Sequence, residues 1–167
     1  NNNPVKTPGV TVDWTQTTQD HQGTFKNVTT NLAATSSDTD ANGVARIKFL
    51  TSTYSEITTT VTATDAASKT GTASVVTTFG ATTHYAVSSV SDLTAVVAGQ
   101  TVTLTAQALD ANNNAVKTAG VSVDWTQTTQ DHQGTFKNAT TNAAATSSDT
   151  NSNGVATIKF LTSTYSE

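Results

Sequence analysis

The chain is 167 residues long, 35% apolar and only 12% charged, with a net charge of −4. Its eight Lys and Arg are scattered, which argues against a nucleic-acid partner, and no apolar run reaches membrane-spanning length. Thr fills the gap with 39 copies; it is β-branched, stiff at χ1 and suited to the wet face of a pleated sheet.

From the N-terminal side, Val10, Val12 and Trp14 alternate with polar neighbours, the period of two that marks a half-buried strand. A polar insert at 17–26 follows and has no assignable pattern. Asn27-Val28-Thr29 fits the N-glycosylation sequon, as does Asn138-Ala139-Thr140 further on. Asp38-Thr39-Asp40-Ala41-Asn42-Gly43 ends in a hairpin signal and leads into Ala45, Ile47 and Phe49, which alternate against Val44, Arg46, Lys48 and Leu50. Ile57, Thr59, Val61 and Ala63 predict the next strand, and 72–78 another. Phe79-Gly80-Ala81-Thr82-Thr83 is the expected boundary, dividing the chain into 1–80 and 81–167. Beyond it, 85–90 and 93–97 read as strands. Val102, Leu104, Ala106 and Ala108 then alternate against Thr101, Thr103, Thr105 and Gln107. Asp110, Asn112 and Asn114 mark a turn, Val121, Val123 and Trp125 a strand, and Asn153-Gly154 a turn before Ile158 and Phe160. No stretch reads as a helix.

Residues 1–56 match 112–167 without a gap at 48 of 56 positions, a period of 111 residues. That is too long for a solenoid unit and close to the roughly 100 residues of an immunoglobulin-type sandwich. The two copies test the facing of one strand: Arg46 is replaced by Thr157, whereas Ile47 and Phe49 persist as Ile158 and Phe160. The expected fold is therefore all-β, an immunoglobulin-like β-sandwich in tandem repeats of 111 residues. Trp14, Trp125, Ile47, Phe49, Ile158 and Phe160 are expected in the core. On this phasing 1–80 holds the C-terminal strands of one repeat and 81–167 the N-terminal strands of the next.

The run from Asp38 to Ala45 followed by Val61-Thr62-Ala63 resembles the signature of the bacterial Ig-like Big-1 domain. So does Val96-Val97-Ala98-Gly99-Gln100 leading to Ala108-Leu109-Asp110 and Asn112-Asn113-Asn114-Ala115-Val116. Such domains form the repeats of invasin- and intimin-type adhesins and other long bacterial surface proteins. The resemblance implies a secreted or surface-exposed array and supplies no ligand site; the 17–26 insert departs from it.

Candidate chemistry is sparse. Asp38, Asp40 and Asn42 copy the first half of a calcium loop, and Asp149, Asn151 and Asn153 repeat it with one carboxylate fewer. The position that should carry a bidentate Glu is Phe49, so a hairpin turn is the favoured reading and calcium the weaker one, for these residues and for Asp110, Asn112 and Asn114 alike. His21 and His132 follow Asp20 and Asp131, but neighbouring Asp and His are not expected to point at one another, and no nucleophile–base–orienter set accompanies them. No enzyme is expected. The chain opens on Asn1-Asn2-Asn3 rather than Met and lacks Cys, as expected of a segment of a longer exported protein. The expected role is a stalk or spacer whose partners are identical neighbouring repeats. Alternatives are a fibre or coat subunit joined by strand pairing between chains, and a carbohydrate- or ice-binding module presenting ordered Thr.

Overall fold

The computed structural model describes residues 5–18, 20–128 and 132–165. Among the described residues there is no helix, and all twelve strands pair antiparallel. The chain divides into two compact units, Asn1–Thr78 and Phe79–Glu167. The division falls at the first residue of the Phe79-to-Thr83 stretch singled out above.

The first unit contains β1 (Thr11–Thr17), β2 (Thr24–Lys26), β3 (Ser36–Asp38), β4 (Lys48–Leu50), β5 (Thr58–Asp65) and β6 (Thr70–Val76). They form a four-stranded sheet, β3-β1-β5-β6, and a two-stranded one, β2-β4. The second unit contains β7 (His84–Ser89), β8 (Thr101–Leu109), β9 (Ser122–Asp124), β10 (Thr135–Asn138), β11 (Ser147–Asp149) and β12 (Val155–Leu161). Here the four-stranded sheet is β10-β12-β8-β7 and the two-stranded one β11-β9.

By sequence β9 to β12 copy β1 to β4, yet the copies differ in length according to their neighbours. β1 lies between β3 and β5 and runs seven residues; β9, beside β11 alone, runs three. The reverse holds for the other pair: β12 lies between β10 and β8 and runs seven residues, whereas β4, beside β2 alone, runs three. Residues 44–50 and 155–161 differ only at Arg46 and Thr157. A nearly constant sequence therefore becomes a long strand only where a second neighbour completes its ladder, as expected when strand formation depends more on cross-strand packing than on the chain itself.

The same asymmetry governs the core. In the second unit Ala106, Val123, Trp125, Ala156 and Ile158 form a buried cluster, with Tyr85, Leu104, Phe136 and Ala145 packed on it. In the first, only Phe25 and Thr59 are fully buried among the described residues. Of the six expected core residues, Ile158 and Trp125 are buried and Phe160 is half-buried; Trp14, Ile47 and Phe49 are only half-buried. For Ile47 the cause is visible in the ladders: β12 holds its copy against β8, and β4 has no such neighbour.

Two sequence expectations are corrected. Residues 93–97 are not a strand but a series of bends, with Leu93 50% and Val97 68% exposed. The 17–26 insert, of which Gln19 lies outside the described residues, contains β2. Its Phe25 faces Phe49 across the ladder with ring centroids 5.0 Å apart. The insert is clamped by Gln16, whose Nε2 donates to the Gly23 carbonyl at 2.8 Å and whose Oε1 accepts from the Gly23 amide at 3.0 Å. Gln127 and Gly134 repeat this clamp. The glycine is required sterically, because a Cβ at Gly23 would collide with the Phe49 ring and the Leu50 carbonyl.

Candidate functional site

Four hairpin turns share one geometry. At Asp40, Asp65, Asp110 and Asn151 the side-chain Oδ1 accepts from the backbone N–H two and four residues on, at 2.8–3.1 Å. The residue three on takes positive φ: Gly43 (73°), Ser68 (59°), Asn113 (64°) and Gly154 (73°). Asp and Asn suit this position because their short polar side chains bond their own backbone. Sequence reading names three of these turns and misses Asp65. Its turn, Asp65-Ala66-Ala67-Ser68-Lys69, has neither Gly nor Asn at the positive-φ position; the lone signal is an Asp closing an alternating strand.

The geometry decides what these oxygens can bind. Asp110 is 3% exposed, and besides the two turn amides its Oδ2 accepts from the Gly80 amide at 2.9 Å and Asn114 Nδ2 at 3.0 Å. The Gly80 amide foremost, then the Asn114 side chain, hold the Asp110 carboxyl well below the usual carboxylate range. Asp40 Oδ2 receives Arg46 Nη1 at 2.5 Å, and that hydrogen bond, followed by the Val44 and Asn42 amides, lowers its pKa. Each turn-closing Oδ1 already accepts two backbone N–H groups, which occupy the lone pairs a cation would need. The remaining calcium candidates are dispersed. Asp38 accepts from Thr11 Oγ1 at 2.7 Å, Asp149 is exposed on β11, and Asn42, Asn112 and Asn153 are exposed turn residues. Among the described residues no three His, Asp or Glu converge.

The residue before each of Asp40 and Asn151 is a Thr that ties the turn to a neighbouring segment. Thr150, 4% exposed, accepts from the Val121 amide at 3.0 Å and donates to the Thr118 carbonyl at 2.7 Å. Thr39 repeats both bonds with Val10 and Thr7. The sequon asparagines are also engaged locally: Asn27 Oδ1 accepts from the Thr29 and Thr30 amides, and Asn138 Oδ1 from those of Thr140 and Thr141. Trp14 and Trp125 each donate an indole N–H to a serine across the ladder, Ser37 and Ser148, at 2.9 Å.

The expectation that Asp20 and His21 point apart is corrected. His21 sits at φ 54°, which brings its Nε2 to 3.4 Å from Asp20 Oδ2. Its ring stacks on Tyr54 at 3.5 Å, and His132 stacks on Tyr165 at 4.2 Å; Asp131 lies outside the described residues. On the outside of the first unit, Thr15, Thr62 and Thr72 form one cross-strand row and Thr17, Thr60 and Ser74 the next.

No family model and no curated protein matches the chain.

Proposed function

We propose that the protein is a structural spacer: immunoglobulin-like β-sandwich repeats in series, of the bacterial Ig-like kind, set end to end in a secreted or surface-exposed stalk of adhesin type. The observation that carries this reading is the duplication, 48 of 56 positions at a spacing of 111 residues. Copying a whole two-sheet unit adds reach without adding chemistry, and units that bury their own faces tolerate a changing repeat number. The polar, Thr-rich surface and the turns closed by their own side chains suit a unit that meets water on all sides. The partners in this reading are the identical neighbouring repeats.

The test is small-angle scattering on chains of one, two and three 111-residue periods. The maximum dimension should grow by roughly 30 Å or more per period, about the length of a nine-residue strand, at constant cross-section. A dimension that stays flat as periods are added would refute the spacer. A second reading, a fibre or coat subunit joined by strand pairing between chains, draws support from β4, which among the described residues pairs with β2 alone. It is separated from the first by whether the particle's mass rises with concentration.

A further inference from the structure

The sequence holds two Asn-Gly pairs, Asn42-Gly43 and Asn153-Gly154, and each closes a hairpin. Asn followed by Gly is chemically labile in a flexible chain, because a glycine amide has no side chain to keep it from the neighbouring carboxamide. The fold nevertheless imposes glycine at both positions. Gly43 and Gly154 each take φ 73°, and a Cβ there would collide with the Val5 or the Val116 carbonyl oxygen. The same turns restrain the labile pair. The Gly43 amide donates to the Asp40 carbonyl and the Gly154 amide to the Asn151 carbonyl, both at 2.9 Å. The side-chain Oδ1 of Asp40 or Asn151 accepts from the amides on either side, those of Asn42 and Val44 or of Asn153 and Val155, at 2.8–3.1 Å. In the second unit Gln107 Nε2 also donates to the Asn153 carbonyl at 3.1 Å, so both ends of the Asn153–Gly154 peptide group are held. Gly154 is buried while Asn153 is exposed.

We propose that Asn42 and Asn153 are the chain's sites of spontaneous succinimide formation, and that the turns closed by Asp40 and Asn151 hold the reaction off until they open. The glycine amide nitrogen attacks Cγ of the preceding Asn; the N–Cγ bond forms, the Cγ–Nδ2 bond breaks, and ammonia leaves carrying the amide proton. Water then adds to one carbonyl of the ring and opens it to aspartate or isoaspartate. The attacking nitrogen must first give up the hydrogen bond it donates to the Asp40 or Asn151 carbonyl, and the peptide group must rotate towards the carboxamide. Every bond of the turn opposes that rotation. The rate is therefore the rate in the open chain multiplied by the open fraction of the turn. Conversion to isoaspartate puts an extra backbone carbon ahead of Gly154, whose carbonyl accepts from the Ala108 amide at 2.9 Å, so the ladder between β8 and β12 loosens at that end. The chemistry depends on the two turns alone and not on the spacer reading.

The experiment incubates the full chain at mildly alkaline pH, folded and in urea, and maps conversion at each Asn by peptide mass spectrometry. In urea, Asn42 and Asn153 should convert ahead of every other Asn. In the folded chain both should convert at least ~10-fold more slowly than in urea. Asn151→Ala should speed Asn153 alone and Asp40→Ala should speed Asn42 alone, whereas Asn151→Asp, which restores the accepting oxygen, should keep Asn153 slow. Amide protection at 155–158 checks that the Asn151→Ala chain is still folded; if that protection is lost, the comparison of folded with urea-unfolded chain decides alone. Equal rates in folded and unfolded chain, earlier conversion of another Asn in urea, or an unchanged Asn153 rate in a folded Asn151→Ala chain would each overturn the proposal.

Discussion

Asp110 accepts four hydrogen bonds at a position only 3% exposed, and two of them serve different ends. The turn amides close its own hairpin, a task Asn151 performs equally at another turn of the same unit; the bond from Gly80 ties in a segment thirty residues away. Asp110→Asn should therefore keep the turn but set an NH₂ group or a weaker acceptor against the Gly80 amide, lowering Tm by roughly 3–8 °C in calorimetry. The pH dependence has a defined sign. The folded-state pKa is depressed below the ordinary value of about 3.9. The stabilisation is thus present above that value and is lost as pH falls towards the folded one. The gap in Tm between wild type and Asp110→Asn should hold from pH 8 to about 5 and narrow below about 4; a gap that changed between pH 8 and 6 would implicate another group. Because these turn oxygens are occupied by N–H donors, melting in calcium and in EDTA should coincide, and a rise of several degrees with calcium would show oxygens free to bind it. At Gly134 the constraint is steric: a Cβ would meet the Phe160 ring and the Leu161 carbonyl. Gly134→Ala should cost about 1–3 kcal/mol in urea denaturation.

At the level of strands, the chain contains a comparison in which sequence is nearly held constant and neighbours change. Residues 44–47 and 155–158 have almost the same intrinsic exchange chemistry, differing at Arg46 and Thr157. Only the second set is laddered to β8. In native-state hydrogen exchange, the amides at 155–158 should be protected on the order of 100-fold or more over those at 44–47; matched rates would mean that β8 adds nothing to the ladder. The same physics explains what the sequence made legible. Where apolar residues alternate over a full strand, as at Val102 to Ala108, the strand and its buried face are readable directly. β2 and β3 are not: TFK and SSD carry one apolar residue between them, and their pairing is imposed by Phe49 and by β1 across the ladder. Residues 93–97 err in the opposite direction, having apolar residues in strand-like number but no neighbour to pair with. Of the four turns closed by an Asp or Asn side chain, the three with Asn or Gly at the positive-φ position were readable and the one where Ser68 takes it was lost; the positive-φ Asn31 and Asn142 were missed as well. The Thr39 and Thr150 staples and the Gln–Gly clamps could not be anticipated, because each joins a polar side chain to backbone whose position only the fold supplies.

Over the whole chain, the two units carry the same duplicated segment but complete different halves of the pattern around it. The first completes the sheet that contains Trp14, the second the sheet that contains Ile158. Among the described residues only the second closes a buried cluster, with Ala106, Ala156 and Ile158 at 1% exposure or less. A fully buried Ile, Val or Leu contributes about 1.5–3 kcal/mol, so a deficit of a few such residues is large against the 5–15 kcal/mol that holds a typical domain together. The first unit should therefore unfold before the second. Trp14 and Trp125 report the two units separately. In a Trp125→Phe chain the fluorescence follows the first unit, and in a Trp14→Phe chain it follows the second. The Trp14 signal should start at longer wavelength, because that indole is half-buried whereas Trp125 is 8% exposed. Its urea midpoint should also lie below that of the Trp125 signal. Each substitution costs its own unit an indole N–H bond to Ser148 or Ser37, but the reporting unit keeps its Trp and its bond, so the comparison is between intact units. Coincident midpoints, with both signals moving together when either unit is destabilised, would mean that the chain unfolds as one cooperative body and that the missing neighbour of β4 costs the first unit nothing.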